Sequence, residues 1–281
     1  MGVFTSPPVV ADSITAVTQP ASGIPVVCAS HGGVYSAVCA LRLRASAAVF
    51  NDAGIGRDRA GIAGLTVLDG FGVAGVAVSH STARIGDGWD CWTRGVVSVA
   101  NEAAMACGVR PGMRVQEAHT LLPRGVAPNA QAALHVESES RHLIPLDVDG
   151  GVPVVALDSN SLVSAADAGA IVITGSHGGL LGGHAHTAVK YPVFAAFYND
   201  AGVGIDSAGI SRLPALQARG IAGIAVDAFS ARIGDGLSTY QDGIVSFTNE
   251  MAHSFGIRPG MPVRDAVLHL AQSRNLHSQR K

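Results

Sequence analysis

Lysine is almost missing from this 281-residue chain, where only Lys190 and Lys281 occur. That scarcity argues against a Schiff-base lysine or a phosphate-loop lysine, and no GxxxxGK[ST] motif is present. Charged residues are few, 14% of the total, and the net charge is −2. No basic stripe exists, so a nucleic-acid partner is not expected. No apolar run reaches the roughly 18 residues of a membrane span, so no membrane partner is expected either. The four cysteines, Cys28, Cys39, Cys91 and Cys107, form no CxxC pair and all lie in the first half. They read as reduced core residues. With no recognisable secretory leader, the expected location is the cytoplasm.

The chain does contain a long internal repeat. Asn51-Asp52-Ala53-Gly54 recurs as Asn199-Asp200-Ala201-Gly202, and Arg84 recurs as Arg232, an offset of 148 (232 − 84). Asn101/Asn249 and Pro111/Pro259 keep that offset, while Ser30–Gly33 and Ser176–Gly179 are 146 apart (176 − 30). Such a period predicts a tandem duplication. The expected boundaries are residues 1–122 for a first α/β repeat, 123–152 for a linker or excursion, 153–271 for a second repeat and 272–281 for an unstructured tail. The repeat also separates shared residues from private ones. The cysteines are private, and so is His80, which aligns with Ala228.

In the second repeat, VPVVAL, AIVITG, VFAAFY and IAGIAV are short, continuous apolar runs. Such runs suit strands buried on both faces of a parallel sheet. AGISRLPALQARG has helical spacing. STYQDGIVSFTNEMAHSFG reads as one long helix, with Ser238 or Thr239 as its N-cap and Asn249 in its interior. The expected fold is therefore α/β, a tandem duplication of a Rossmann-like βα unit with a mostly parallel sheet and two pseudo-symmetric lobes. Every shared polar motif falls just after an expected strand. Parallel topology would gather these motifs at the carboxyl edge, where open α/β sheets bind ligands.

The candidate site follows from that placement. Ser176, His177 and Asp200 are the expected catalytic groups, with Ser30, His31 and Asp52 as the parallel set. Ser–His side by side in sequence makes a simple nucleophile pair doubtful, whereas His is suited to acid–base work near neutrality. Asp200 directly follows an apolar strand and should be partly buried, so it needs a partner or a raised pKa. Arg232 and Arg84 suit bidentate capture of a carboxylate or phosphate; the plainer alternative is an Arg–Asp pair inside the ARIGDG loop. Gly178 and Gly179 could offer amides to a developing oxyanion. Asn199, Asn51, Asp158 and Ser230 complete the expected binding set.

No cofactor is expected. Magnesium would have to rest on Asp158, Asp200 and Asp235, whose spacing matches no known motif, and His184/His186 are two apart, without HExxH or CxxC support for zinc. The expected function is a cofactor-independent enzyme. It would act on a small, polar, carboxylate-bearing molecule by hydrolysing an amide or ring C–N bond, or by a related lyase or isomerase step. The alternative is a phosphate- or nucleotide-binding protein using the Gly-rich loops and Arg without chemistry. The expected partner is the small-molecule substrate, with a homo-oligomer compatible with the sequence.

Overall fold

A computed structural model of the chain describes residues 8–18, 21–129, 139–146 and 152–278. It is α/β and contains two mostly parallel sheets interleaved with helices. The chain divides into two compact units. One is Met1–Asp52 with Ile62–Val136, and the other is Ala53–Gly61 with Glu137–Lys281.

The first unit has a five-stranded sheet in sequential order: β1 (Val9–Ala11), β2 (Pro25–His31), β3 (Ala47–Asn51), β4 (Ala74–Val78) and β5 (Val97–Ala100). β1 to β4 are parallel and β5 is antiparallel to β4. Its helices are α1 (Val34–Arg42), α2 (Gly64–Gly70), α3 (Gly88–Arg94), α4 (Glu102–Ala106) and α5 (Val115–Leu121). Val27, Val49 and Val76 pack with Cys91, Ala104 and Val115 on one face. Their strand neighbours Val26, Cys28, Ala48, Phe50 and Ala77 are equally buried. Successive strand residues point to opposite faces, so both faces are covered, which explains the unbroken apolar runs.

The second unit has six strands in sequential order: β6 (Arg141–Leu143), β7 (Val154–Leu157), β8 (Ile171–His177), β9 (Ala195–Asn199), β10 (Ala222–Val226) and β11 (Val245–Thr248). β7 to β10 are parallel, while β6 and β11 are antiparallel edges. Its helices are α6 (Arg212–Gln217), α7 (Gly236–Asp242), α8 (Glu250–Ser254) and α9 (Val263–Ser278). Ile171, Ile173, Phe197 and Ile224 pack with Ala252, Val267 and Leu270. Val155, Leu157, Val172 and Tyr198 pack on the other face with Leu216 and Ile221. Neither sheet reverses its strand order, so neither has the switch point that doubly wound sheets use for ligands.

Four sequence expectations need correction. The stretch read as one long helix is α7, then β11, then α8. The β-branched Ile244, Val245 and Thr248 favour a strand, and a short apolar run cannot separate the two periods. The N-cap of α7 is Asp235, whose Oδ1 accepts from Ser238 N at 2.7 Å, rather than Ser238 or Thr239. Residues 272–278, expected to be unstructured, continue α9, and residues 279–281 lie outside the described residues. Within the expected linker, Arg141–Leu143 forms β6 beside β7; residues 130–138 and 147–151 lie outside the described residues.

Candidate functional site

Strand register brings the shared motifs together within each unit. His31 pairs with Asn51, and Asn51 with Val78, across β2, β3 and β4. His177, Asn199 and Val226 form the same row across β8, β9 and β10. Asp52 and Asp200 are the next residues along, where their N–H groups bond to Val78 O and Val226 O. The catalytic candidates of each unit thus occupy one carboxyl edge.

Their local bonds reassign several roles. Gly179 N donates to His177 Nδ1 at 3.1 Å, and Gly33 N donates to His31 Nδ1 at 3.2 Å. An Nδ1 that accepts must carry no proton, which assigns the Nε2–H tautomer to both neutral rings. Desolvation also pulls His31 down to about 4, so at pH 7 it is a neutral donor rather than a base. The expected amide cradle is already engaged: Gly178 N bonds to Asn199 O while Gly179 N serves His177. Gly178 is needed for close packing, since a Cβ there would lie 2.3 Å from Gly209 O. Ser176 Oγ accepts from Asn160 N, and Ser30 Oγ accepts from Ile14 N. Both hydroxyls brace the preceding loop.

The binding candidates also hold loops. Asn51 and Asn199 are fully buried, and their Nδ2 groups donate to Ala83 O and Ala231 O. They pin the start of each ARIGDG stretch. Asp158 Oδ1 accepts from Gly236 N and its Oδ2 from Ser140 N. Asp12 holds Gly88 N in the same way. Gly236 packs so tightly that a Cβ would lie 2.4 Å from Leu157 O. Ser230 Oγ donates to Asp227 O and accepts from Ile244 N. The Arg–Asp pair inside the loop is present in both units. Arg232 Nε and Nη2 reach Asp235 Oδ2, and Nη1 reaches Asp58 at 3.3 Å. Arg84 reaches Asp87 at 3.4 Å. The hydrogen bond to Asp235, with a lesser one to Asp58, holds Arg232 above the ordinary guanidinium range. Both side chains remain 42–43% exposed.

The two aspartates differ most. Asp52 is 2% exposed and Asp200 4%. Burial alone would raise either carboxyl. For Asp52 that effect is overcome by hydrogen bonds from the His80 ring and backbone, together with its charge, and the carboxyl sits below its ordinary value. Nδ1 of His80 lies 2.8 Å from Asp52 Oδ1, and His80 N lies 2.9 Å from the same oxygen. Asp200 has no imidazole against it; the hydrogen bonds that oppose burial come from the Ser246 side chain and from Gly202 N and Ala228 N. Burial prevails there, and the carboxyl sits above its ordinary value. His80 aligns with Ala228 and is not shared between the units, yet it is the residue that meets Asp52.

A second feature escaped the sequence altogether. Ala53, Ile55, Asp58 and Arg59 have positive φ, as do Ala201, Val203, Asp206 and Ser207. Left-handed backbone costs an L-residue roughly 1–2 kcal/mol, and a β-branched residue there is a true outlier. Both strained loops start directly after the buried aspartate. Nothing in the string DAGIG marks this, because only its glycines are expected at such angles.

Among the described residues, no group of three or more His, Cys, Asp or Glu side chains could hold a metal ion. None of the described helices is long and apolar enough to cross a membrane. Comparison with protein-family models, curated proteins and solved structures found no match.

Proposed function

We propose that the chain is a cofactor-independent enzyme of tandem-duplicated, Rossmann-like origin. It acts on a small, polar, carboxylate-bearing molecule at the strand carboxyl edges, by hydrolysing an amide or ring C–N bond. One observation carries this reading: a buried aspartate directly follows β3 and another directly follows β9, and in the sequence each leads straight into a strained left-handed loop. Strain of this kind persists where surroundings over-determine it, and such places cluster at active sites. In this reading the half-exposed Arg84 and Arg232 anchor the substrate carboxylate. The neutral His31 and His177 rings offer Nε2–H to the carbonyl oxygen, the role of the engaged glycine amides passing to them. In the first unit's site Asp52 serves as an ionised carboxylate, and in the second unit's site Asp200 serves as the carboxyl held toward its protonated form.

The phosphate-binding alternative is weaker because the glycine N–H groups it needs are committed within the protein. The test is a turnover screen of the full chain against N-acetylated amino acids and carboxylate-bearing cyclic amides, with inorganic phosphate in a parallel melting assay. Turnover that falls 100-fold or more in Arg232→Ala or Arg84→Ala supports the reading. A silent panel, with phosphate raising the melting temperature, refutes it in favour of the binder.

A further inference from the structure

We infer that His80, with Asp52 behind it, is the general base of the first unit's site, and that the second unit lacks any counterpart. The inference rests on the enzyme reading above and names which residue accepts the proton.

The tautomer of each ring follows from its partner. Asp52 is buried and held ionised, so its oxygens can only accept. The 2.8 Å contact with His80 Nδ1 therefore requires the proton on Nδ1. That leaves the lone pair on Nε2. The ring is 30% exposed, so one side lies against the carboxylate while part of the ring reaches solvent. The main chain locks this arrangement, because His80 N donates to the same Oδ1. His31, two strands away in the same sheet, has the opposite tautomer with Nε2–H. One sheet edge thus carries an imidazole that can accept a proton and another that can donate a hydrogen bond. In the second unit, Ala228 stands where His80 would be, its N–H bonds to Asp200 Oδ1, and His177 is again a donor.

Asp52, directly after β3, lies against the His80 ring, and farther along the same loop Arg84 pairs with Asp87 and Asp90 at the α3 N-terminus. His80 Nε2 takes a proton from water as the water oxygen bonds to the amide carbon. The carbonyl π pair moves to oxygen, and collapse breaks the C–N bond. The imidazolium then returns its proton to the leaving nitrogen. Asp52 stays ionised throughout.

Three measurements test this on the full chain. Ring nitrogen NMR should show Nδ1–H for His80 and Nε2–H for His31, and His80 should titrate at lower pH in Asp52→Asn. p-Nitrophenyl acetate, which any accessible basic imidazole hydrolyses, should release nitrophenolate measurably more slowly with His80→Gln, above a background from the exposed His142, His184, His186, His253 and His269 that the substitution leaves in place. In the amide panel, His80→Gln should lower kcat by 100-fold or more while KM holds. An Nε2–H tautomer at His80, an unmoved titration in Asp52→Asn, or equal nitrophenolate release in His80→Gln overturns the inference. A silent panel with the other two results as expected refutes the amide-hydrolase reading and leaves the proton-accepting pair supported.

Discussion

Asn249 offers the sharpest test of how the second unit is held together. Its side chain makes four bonds. Oδ1 accepts from Gly223 N at 3.0 Å and from Ala252 N at 2.9 Å. Nδ2 donates to Ile221 O at 2.9 Å and to Leu213 O at 3.3 Å. One planar amide thereby caps α8, satisfies β10 and fixes the segment between α6 and β10. In Asn249→Ala the cap alone is worth about 1 kcal/mol. Three more backbone groups lose their partner, each worth about 1–3 kcal/mol when left dry. Relaxation and water entry recover part of this, so the expected loss is about 3–5 kcal/mol. The conservative change is equally informative. Asn249→Asp keeps the acceptor for Gly223 and Ala252 but turns the second oxygen toward two carbonyls. Its carboxyl should favour the protonated form, so this variant should be least stable at neutral pH and recover as pH falls.

The assay is urea unfolding followed by hydrogen exchange at the Gly223 and Ala252 amides. A chain of two units need not unfold in one step, and the exchange readout is local. Asn101 provides an internal control, since it makes the same four bonds in the first unit with Gly75, Ala104, Val73 and Leu65. Asn249→Ala should leave the first-unit amides unmoved, and Asn101→Ala should do the reverse. A loss below about 1 kcal/mol at both positions would sink the argument, because it would mean these groups find water at little cost.

Two further predictions concern the strand edges. Asp52 lies below its ordinary value, so its contribution is present above the unfolded carboxylate pKa and is lost as pH falls through the folded one. Asp200 lies above its ordinary value, so its contribution is present at low pH and is lost as pH rises through its folded pKa. At pH 7, Asp52→Asn should therefore destabilise the protein and Asp200→Asn should stabilise it, as read by melting temperature; equal signs would show that the two environments are alike. Val203→Gly removes a side chain from φ 63°, relieving roughly 1–2 kcal/mol of left-handed strain against roughly 0.4–1 kcal/mol of added unfolded-state entropy. A melting temperature unchanged or raised by a few degrees is expected, with turnover reduced. A drop equivalent to more than about 1.5 kcal/mol would show that the loop is held by packing rather than strained.

Much of the α/β layout was legible because continuous apolar runs in this chain really are two-face-buried strands. The position of the polar motifs followed from it, since parallel strands share a carboxyl edge. The long-helix reading failed at Gly243–Asn249, where four strand residues are too few to show a period. Asn249 shows the same limit from another side. Expected in the interior of a helix, it caps one instead. The glycines of SHGG looked like amide donors. Only the register, which ties Gly178 N to Asn199 O, and the ring orientation of His177 show those amides to be engaged. The left-handed loops were invisible for a different reason: their non-glycine residues have no preference for that conformation, which the surroundings impose.

The contrast between Asp52 and Asp200 narrows to one position. Both carboxyls are buried at the same place on a strand, and in both Oδ1 accepts a main-chain N–H from the residue at position 80 or 228. The side chain at that position then decides the outcome. An imidazole adds a second donor to the same oxygen and brings a proton of its own, which holds Asp52 ionised. A methyl group adds neither, and desolvation holds Asp200 toward its protonated form. Ala228 also has less freedom to change. Its carbonyl accepts from Arg57 N, and a Cβ on Gly56 would lie 2.8 Å from that oxygen, so the segment Ala53–Gly61 closes over it within the second unit. Ala228→His should therefore perturb the Arg57 contact before it could build a second Asp–His pair. Both units carry the carboxyl group, and the proton chemistry available to each is set by the neighbour they do not share.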